Sequence, residues 1–465
     1  MRYDTLIIGA GMSGLAAGIR LAQFGRRVAI LERHYLWGGL NSFYKRAGRR
    51  FDTGLHALTN YVPPRTSGAP LTRILRQLRI PYDALALAPQ GFSESAFRVG
   101  GDLPRLRFGN DFELMRSEVA RLFPSETARF DGLVRALPGY DDVAASDGST
   151  SARATLEQLI VDPLLREMLL LPLCYYGSPR EHDLTWTEFG VLFRSIFLEG
   201  LARPEGGVKH LLDLLVARYR GLGGELRMRC GVRRILITDG RAHGVVLDDG
   251  TQLECEQILS CAGWPETLGL CADAAPRGLA ASVGRLSFVE SISVLDREPA
   301  SLGIDSTITF FNDGEHFEYA RPAGPADLRS GVICCPNNYA SATPLREGLL
   351  RVTVLANHER WAALDEQAYR AEKQAVFGSV VDAAERFVPS VRAHTVYSDT
   401  FTPRTVEHFT GHRGGAVYGS PDKRGDASTG VLGLYLCGTD QGLVGIVGAL
   451  LSGITVANKY ALVAQ

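Results

Sequence analysis

Hydrophobic and polar residues follow strand and helix spacings in turn along the chain, most regularly at the N-terminus. An apolar segment from Asp4 predicts a strand, the residues up to about Phe24 predict a helix, and Val28–Glu32 predicts a second strand that ends in an acid. Farther along, an amphipathic helix is predicted over residues 208–220. The order of strand, helix and strand indicates an α/β fold.

The pattern downstream of residue 60 is less regular, but it still predicts discrete elements. A polar segment of small residues at 141–151 predicts a loop, and no internal repeat is evident. Helices are predicted at 71–79, 111–137, 155–176 and 359–387. Strands are predicted at 225–230, 232–238, 242–248, 288–295, 306–311, 316–321, 331–335 and 350–356.

Three glycines, Gly9, Gly11 and Gly14, separate the first strand from the first helix. In a dinucleotide-binding turn the first glycine permits the turn, the second lets the backbone approach a pyrophosphate, and the third lets the helix pack on the strand. The helix N-terminus then offers unpaired N–H groups to the phosphates. Glu32 lies 18 residues after Gly14, where a carboxylate can accept hydrogen bonds from the adenosine ribose. These features predict dinucleotide binding.

A second glycine pair, Gly38-Gly39, follows the acid, and the segment Phe51-Asp52-x-Gly54-x-His56 comes next. This arrangement resembles the extended FAD signature of the amine-oxidase and phytoene-desaturase superfamily. Simple NAD dehydrogenases do not need the second glycine pair. The resemblance therefore implies that the dinucleotide is FAD.

The C-terminal stretch 433–450 holds a comparable motif of a strand, a glycine turn, an acid and a second glycine turn that opens a helix. Asp440 is predicted either to accept hydrogen bonds from the ribityl chain or to point into a water network beside the phosphates. The helix from Gly445 is predicted to aim the N–H groups of Ile446 and Val447 at the flavin N1–C2=O edge. Negative charge gathers at that edge in the reduced flavin, so the helix dipole would favour reduction.

The motifs as a set resemble the FAD-dependent oxidoreductases that include phytoene desaturases, carotenoid isomerases and retinol saturases. The run near the C-terminus is similar to the saturase and isomerase branch more than to bacterial phytoene desaturases. Blocks 61–200 and 285–400 resemble the family only in general layout. The residues that carry the resemblance are Gly9-x-Gly11-x-x-Gly14, Gly38-Gly39, Phe51-Asp52-x-Gly54-x-His56, Pro204-x-Gly206-Gly207, Thr402-Pro403-Arg404-Thr405, Thr410-Gly411, Gly414-Gly415-Ala416-x-Tyr418-Gly419 and Leu436-x-Gly438-x-Asp440.

The resemblance implies hydride chemistry at flavin N5 on a lipophilic polyene or isoprenoid held in an apolar tunnel. Saturation, cis–trans isomerisation and desaturation all remain open. Saturation also needs a proton, so one weak acid near N5 is expected. His56 and Tyr418 are the catalytic candidates, and Gln441 is a weaker candidate as a polar orienter. The alternatives are that His56 is a buried histidine holding a loop and that Tyr418 seals the flavin site.

The predicted FAD-binding residues are contributed by the three FAD segments and by two positions in the central part of the chain. They are Gly9, Gly11, Met12, Ser13, Gly14, Glu32, Arg33, Gly38, Gly39, Leu40, Asn41, His56, Val232, Gly263, Gly438, Asp440, Gly445, Ile446 and Val447.

Together these features predict an α/β protein that has a Rossmann-like FAD-binding domain of the amine-oxidase and phytoene-desaturase type and a discontinuous α+β substrate domain. The FAD-binding domain is predicted to comprise residues 1–60, 201–284 and 405–465. The substrate domain is predicted to comprise residues 61–200 and 285–404.

Charge and composition limit the kinds of partner, metal site and membrane segment that are expected. The formal net charge of −1 gives no electrostatic case for nucleic acid. The 8 cysteines have no metal-like spacing, so reduced thiols and no metal site are expected. Residues 431–458 are apolar, but their glycines and polar pairs predict a strand, a loop and a buried helix rather than a membrane span. We expect a cytoplasmic enzyme with a lipophilic small-molecule substrate and no obligate protein partner evident, and contact with a membrane surface stays open.

Two apolar stretches, 168–176 and 186–197, suggest either ordinary core packing or part of a substrate tunnel. If one of these helices is exposed, it is a candidate for contact with a membrane.

Two other functions are weighed against the main one. An amine oxidase or a protoporphyrinogen-oxidase-like enzyme would often place a lysine near flavin N5, but the chain has no lysine between Lys209 and Lys373. A flavin-binding escort protein without turnover is the second alternative. Three intact FAD segments argue against it.

Overall fold

The computed structural model describes residues 2–54, 56–66, 68–140, 149–271 and 281–463. Most of the loop predicted at 141–151 lies outside these ranges. The strands of the described ranges are, in chain order, β1 Arg2–Ile8, β2 Val28–Glu32, β3 Phe43–Arg46, β4 Arg49–Asp52, β5 Leu87–Pro89, β6 Ser93–Arg98, β7 Arg105–Phe108, β8 Ala202–Pro204, β9 Glu225–Met228, β10 Val232–Thr238, β11 Arg241–Leu247, β12 Gln252–Ser260, β13 Ser287–Leu295, β14 Ile308–Asp313, β15 Ser330–Cys334, β16 Gly348–Ala356, β17 Thr395–Phe401 and β18 Leu434–Leu436.

Among the helices of the same ranges, five follow one another between β7 and β8 and two between β16 and β17, and strands separate the others. They are, in chain order, α1 Met12–Gln23, α2 Pro70–Leu78, α3 Phe112–Leu122, α4 Thr127–Ala136, α5 Ala152–Leu159, α6 Pro163–Gly177, α7 Trp186–Phe193, α8 Val208–Gly221, α9 Trp264–Cys271, α10 His358–Ala362, α11 Glu366–Ala384, α12 Pro403–Thr410 and α13 Gly445–Val456.

The first sheet has seven strands in the order β10-β11-β12-β1-β2-β9, and β18 pairs with the C-terminal part of β12. β1 pairs in parallel with both β12 and β2, so the carboxyl ends of these strands lie at one edge. Ligands of open α/β sheets bind outside the carboxyl ends of the strands. The glycine turn after β1 therefore lies where a dinucleotide is expected.

Glycine allows the helices to pack tightly at this edge. A Cβ atom on Gly14 of α1 would lie 2.1 Å from the carbonyl oxygen of Gly9, and one on Gly453 of α13 would lie 2.1 Å from the carbonyl oxygen of Ser13. Side chains at these positions would push α1 away from the turn and from α13. The two glycines thus bring the N-terminal and C-terminal motifs together.

The second sheet also has seven strands, in the order β17-β13-β16-β15-β14-β6-β7. Its strands pair antiparallel except for β14 and β6. One face packs against α6 and α7, and the other packs against α10 and α11 in a core that includes Trp361 of α10 and Phe311 of β14. The division into domains stays a prediction, and α2 packs with the core of the first sheet rather than with the second.

Three predicted helices are each divided in two. The segment at 111–137 forms α3 and α4 with a break before Pro124, and that at 155–176 forms α5 and α6 with a break before Pro163. Proline lacks the N–H group and disfavours helical backbone in the preceding residue, so helices end there. The segment at 359–387 forms α10 and α11, and the Asp365 side chain accepts the N–H of Ala368 to begin the second helix.

The strand predicted at 316–321 is wrong, because this segment forms turns and irregular structure after β14. The sequence analysis also did not predict β6, β7 and β17. β17 alternates half-buried and exposed residues, and its pairing with β13 supplies the order that its own residues do not specify.

The aromatic stretch of α7 supports core packing. Phe189, Phe193 and Phe197 are completely or almost completely buried. Their stripe is therefore not available for contact with a membrane. Among the described residues, no helix is both long and apolar enough to cross a bilayer. The eight cysteines, all within the described ranges, are free thiols.

Candidate active site

A large cavity lies between the carboxyl edge of the first sheet and one face of the second sheet. It encloses about 1470 Å³ of empty space, which includes its opening to solvent. The predicted site residues that line it are Gly11, Met12, Ser13, Gly38, Gly39, Leu40, Asn41, His56, Gly263, Tyr418, Gly438, Asp440, Gly445 and Ile446. The structure thus brings three distant sequence segments to one site.

The glycine turn leaves room for a ligand next to the start of α1. A Cβ atom on Gly11 would meet no protein atom within 4 Å, and its backbone has φ −73° and ψ 179°, which any residue can adopt. The protein itself therefore does not require glycine at this position. The open space beside the N–H groups at the start of α1 can accommodate a diphosphate, so the geometry of the turn fits a bound dinucleotide.

The second glycine pair lies directly against this turn. Gly38 donates its N–H to the carbonyl of Ala10 at 2.8 Å, and a Cβ on Gly39 would lie 3.7 Å from the Gly11 Cα. Both residues have left-handed backbone, with φ of +113° and +59°. Glycine is needed at both positions for its conformation, and at Gly38 also for space, because a Cβ there would lie 2.9 Å from the Asn41 carbonyl oxygen.

Glu32 supports the turn from the end of β2. One carboxylate oxygen accepts the N–H of Ala10 at 2.7 Å and the other accepts the N–H of His34 at 2.9 Å. Each oxygen retains acceptor capacity, since an ionised carboxylate can accept about four hydrogen bonds. The predicted contact with a ribose stays a prediction that this geometry permits.

Besides Glu32, which lines a second cavity, five predicted cofactor residues lie away from the wall of the first cavity. Arg33 donates to the carbonyls of Glu407 and His408 at the end of α12. Val232 begins β10, and Val447 is buried in the helix core behind Ile446. Gly9 and Gly14 shape the turn from beneath it. The structure does not bring these five residues to the cavity surface.

Asp440 is almost completely buried at the cavity and already has three donors. The N–H of Trp264 donates to one oxygen at 2.6 Å, and the N–H of Ser420 donates to the other at 2.8 Å. The Lys423 ammonium lies 3.1 Å from that second oxygen and also donates to the Tyr418 carbonyl at 2.6 Å. Burial lowers the pKa of Lys423. The carboxylate is therefore held firmly, and sequence reasoning missed Lys423.

One transverse row of the second sheet forms the floor of the cavity. Phe401, Glu290, Thr353, Val332 and Phe310 are successive cross-strand partners on β17, β13, β16, β15 and β14. All five line the cavity. Since cross-strand partners point to the same face of a sheet, one polar pair lies within a mostly apolar row.

Other apolar groups extend the wall beside this row. Tyr175 stacks on Phe288 at a centroid separation of 5.8 Å, and Tyr176 packs on Phe310 at the same separation. The Tyr176 hydroxyl is buried and has no hydrogen-bond partner among the described residues. This part of the cavity is suited to an apolar ligand.

His56 lies over the polar pair of the row. Its Nε2 is 3.0 Å from the Thr353 hydroxyl oxygen and 3.5 Å from a Glu290 carboxylate oxygen. Burial lowers the pKa of His56, and the nearby Glu290 opposes that effect only in part. The imidazole is thus neutral near pH 7 in the protein without ligand.

Glu290 is kept charged by Arg351. Burial acts to raise the pKa of Glu290, but the Arg351 guanidinium, which pairs with it, holds the pKa below its usual value. Arg351 also donates to the carbonyls of Asp52 and Thr53, at 3.0 and 2.6 Å. This ion pair therefore joins the second sheet to the segment that carries His56.

Tyr418 lies in the cavity wall with its hydroxyl turned toward the protein. The hydroxyl donates to the Tyr175 carbonyl, and burial raises the pKa of Tyr418. Its proton is committed to this contact, so the geometry favours a sealing role over that of an acid. Gln441 accepts a hydrogen bond from Ser452 at 2.6 Å, within the helix core rather than over the floor.

The comparisons with known proteins agree with this geometry. A family model described as flavin-containing amine oxidoreductase matches residues 12–459. The chain is 24% identical to an all-trans-retinol 13,14-reductase from Danio rerio, over 97% of the chain and 85% of that protein. It is 22% identical to a prolycopene isomerase from an Oncidium hybrid, over 99% and 84% of the two chains. A crystal structure of an oxidoreductase from Methanosarcina mazei superimposes with a TM-score of 0.67 at 19% identity, covering 99% and 100% of the chains.

Proposed function

The chain belongs to the family of flavin-containing amine oxidoreductases, and we propose that within this family it acts on carbon–carbon double bonds of a lipophilic polyene or isoprenoid. Family membership confirms the predicted α/β flavoenzyme fold and FAD as the cofactor. The enzyme is an FAD-dependent oxidoreductase. The proposal covers saturation, isomerisation and desaturation. The names of the similar retinol reductase and prolycopene isomerase support a polyene or isoprenoid as the substrate.

The observation that carries the proposal is the mostly apolar floor. Phe401, Val332 and Phe310 flank one polar pair, and Tyr175 and Phe288 extend the apolar wall. A polyene offers no acidic proton and no carbonyl, so it needs apolar contact and a single proton-handling group rather than a set of polar contacts.

An amine substrate fits this cavity poorly. The carboxylates that line it within the described ranges are Glu290 and Asp440. Arg351 pairs with the first and Lys423 with the second. A cationic amine would therefore find no free counter-ion. The escort alternative is disfavoured because His56 has a defined hydrogen-bonded setting in the same cavity.

The residues present fit FAD, and each has a task in the proposed reaction. FAD, when bound, supplies hydride transfer at N5. The space above Gly11 and the start of α1 would hold its diphosphate, and Glu32 would accept from its ribose. The aromatic wall binds the polyene and excludes water. His56 can give or take a proton at Nδ1, the ring nitrogen that forms no hydrogen bond with a described residue.

The test is to incubate the FAD-loaded protein anaerobically with cis and all-trans carotenoids and retinoids, with oxidised and with dithionite-reduced flavin. Mass spectrometry then separates the reactions. A gain of two hydrogens means saturation, a loss of two means desaturation, and an unchanged mass with a shifted retention time means isomerisation. Conversion of amines, with no polyene changed, would refute the proposal and support the oxidase alternative.

We also propose that the polyene is collected at a membrane surface. Tyr35 and Phe409 are 52% and 43% exposed, and both rings pack against His34, so they form one aromatic patch on the surface. Cosedimentation with phosphatidylcholine vesicles tests this. Tyr35→Asp with Phe409→Asp should reduce binding, whereas the exposed but distant Val161→Asp should not. Equal binding by both variants would argue against this surface.

A further inference from the structure

We infer that Glu290, Thr353 and His56 form a hydrogen-bonded relay that directs the Nδ1 atom of His56 into the cavity, where His56 moves the proton that accompanies hydride transfer. His56 is the catalytic residue of the relay, and Glu290 and Thr353 are its positioning residues. The inference rests on the proposed function for the identity of the proton acceptor or donor. The arrangement of the relay itself does not depend on it.

The hydrogen bonds fix which ring nitrogen carries the proton. Thr353 has one hydroxyl hydrogen, and it donates that hydrogen to Glu290 at 3.2 Å because an ionised carboxylate only accepts. The Thr353 oxygen must therefore accept from His56 Nε2, which lies 3.0 Å away. The neighbouring Glu290 oxygen at 3.5 Å favours the same Nε2–H form. In the neutral ring, Nδ1 then carries the lone pair.

Nδ1 is the atom that faces the ligand space. His56 lines the cavity and its side chain is 18% exposed. No described residue forms a hydrogen bond with Nδ1, and this atom is not among the buried polar atoms that lack a partner. Hydrogen bonding at Nε2 fixes the orientation of the ring, and Nδ1 stays accessible. This is the arrangement expected of a general acid or base.

The relay is rigid because each member is held from a second side. Glu290 and Thr353 are direct cross-strand partners on β13 and β16, and Arg351 lies two residues from Thr353 on the same face. Arg351 pairs with Glu290 and also donates to the backbone of Asp52 and Thr53. The backbone carbonyl of His56 accepts the Tyr339 hydroxyl at 2.9 Å. These contacts connect the backbone of Asp52, Thr53 and His56 to the residues that hold the relay.

The step balances in either direction. In saturation, reduced FAD would supply a hydride, with its electron pair, to one carbon of the double bond and would be oxidised in doing so. Nδ1 of protonated His56 gives its proton to the other carbon as the π bond is lost, so the product has two new C–H bonds and His56 becomes neutral. In desaturation the same atoms move in reverse, and neutral His56 accepts the proton at Nδ1. Dithionite supplies the reducing equivalents in the assay of the saturation direction.

The pH dependence is set by the charges that face His56. These are Glu290 on β13, Arg351 on β16, and Arg203 on β8, whose guanidinium pairs with Asp52 at the end of β4. The protonated form is required for saturation and the neutral form for desaturation. Saturation should therefore slow as the pH rises above the pKa of His56, and desaturation should accelerate.

The substrate-independent test is nitrogen-15 NMR of the FAD-loaded protein with labelled histidine, where His56→Gln assigns the signal. The wild type should show the Nε2–H tautomer, and Thr353→Val should weaken that preference. Thr309→Val is the matched control, because Thr309 donates at 3.0 Å to Glu94, which pairs with Arg105 on the opposite face of the same sheet. An Nδ1–H tautomer in the wild type, or identical spectra for Thr353→Val and the wild type, would overturn the relay.

The turnover test uses any carotenoid or retinoid from the activity assay that gains or loses two hydrogens. His56→Ala should retain FAD and lower kcat by about 10²–10⁴-fold, with partial rescue by imidazole. Thr353→Val should lower kcat and alter the pH profile, and Thr309→Val should do neither. Glu290→Gln should shift the pH profile to lower pH. Because this substitution leaves Arg351 buried without its counter-ion, Glu290→Gln can fail to fold, and Thr353→Val is then the decisive variant.

The two proposals can fail separately. If no polyene is converted but His56 shows the Nε2–H tautomer and responds to Thr353→Val, the substrate class is wrong and the relay stands. If a polyene gains or loses two hydrogens and His56→Ala turns over as the wild type does, with the same pH profile, the function stands and the relay is wrong.

Discussion

The glycine turn offers the sharpest test of where the cofactor lies, because two glycines three residues apart should fail for different reasons. A Cβ on Gly11 meets nothing within 4 Å, whereas a Cβ on Gly14 would lie 2.1 Å from the Gly9 carbonyl oxygen. Gly11→Val should therefore leave the FAD-free protein folded and exclude the diphosphate. Gly14→Val should disturb the packing of α1 whether FAD is present or not.

The magnitudes follow from these contacts. A valine at Gly11 would displace the phosphates from the helix N–H groups, and each hydrogen bond to a charged group is worth about 1.5–3 kcal/mol. Losing two such bonds weakens FAD binding by at least about 100-fold, since about 1.4 kcal/mol is a factor of ten. Gly11 has unstrained backbone, so the unfolding free energy of the FAD-free protein should change by less than about 1 kcal/mol. Gly14→Val should cost about 1–3 kcal/mol or more through overpacking.

The assay combines FAD titration by fluorescence quenching with urea unfolding of the FAD-free protein. Gly39→Val is a less clear test than Gly11→Val, because its φ of +59° would strain a β-branched side chain even without FAD. Binding of FAD by Gly11→Val with wild-type affinity would refute the placement of the diphosphate above this turn. Unfolding of Gly11→Val in the absence of FAD would show that the position has a structural role that the open space does not reveal.

Three further predictions concern the buried polar groups around the cavity. Tyr176→Phe should raise the unfolding free energy of the substrate-free protein by about 1 kcal/mol, because it removes a buried hydroxyl that has no partner among the described residues, and a lower unfolding free energy in urea would contradict this. Lys423→Met should destabilise the protein by about 3–5 kcal/mol in the same assay, since it leaves Asp440 buried and charged, and Lys423→Met with Asp440→Asn should recover part of the loss. The pKa of His56 is lowered in the folded state, so the contribution of His56 to stability is present above the unfolded value of about 6.5 and is lost as the pH falls through the folded value. Between pH 8 and pH 5, the unfolding free energy measured in urea should therefore depend less on pH in His56→Asn than in the wild type. An equal dependence in the two proteins would refute the lowered pKa.

Local sequence signals were sufficient for the nucleotide-binding edge. The strand, glycine turn and helix at the N-terminus were predicted from residues close together in the sequence, and the resemblance to FAD-dependent oxidoreductases added Gly38 to the same predicted site. Pro124 and Pro163 were also local signals of breaks between helices, although the hydrophobic pattern by itself predicted a continuous helix across each of them. Arg33 and Val447 show the limit of motif reasoning, because a motif position gives no side-chain direction.

The floor of the cavity had no comparable signal. Glu290 and Thr353 lie 63 residues apart and become neighbours only through the register of β13 and β16. Nothing in either strand distinguishes these residues from other polar residues that point into a sheet face. Lys423 was missed for the same reason, since its partner Asp440 is 17 residues away and comes beside it only when the intervening segment, which contains β18, folds back.

The sequence by itself determined the fold family and FAD as the cofactor, and it predicted the segments that would bind FAD. These depend on backbone conformation and on close approach, which a few glycines and one acid specify over short distances. The tertiary structure alone decided what faces the cofactor. Pairing of distant strands put one polar pair into an apolar row, and the same pairing turned His56 Nδ1 into the cavity while the Tyr418 hydroxyl turned away from it. Side-chain direction and proton position depend on partners supplied by other parts of the chain, and only the folded protein brings those partners together.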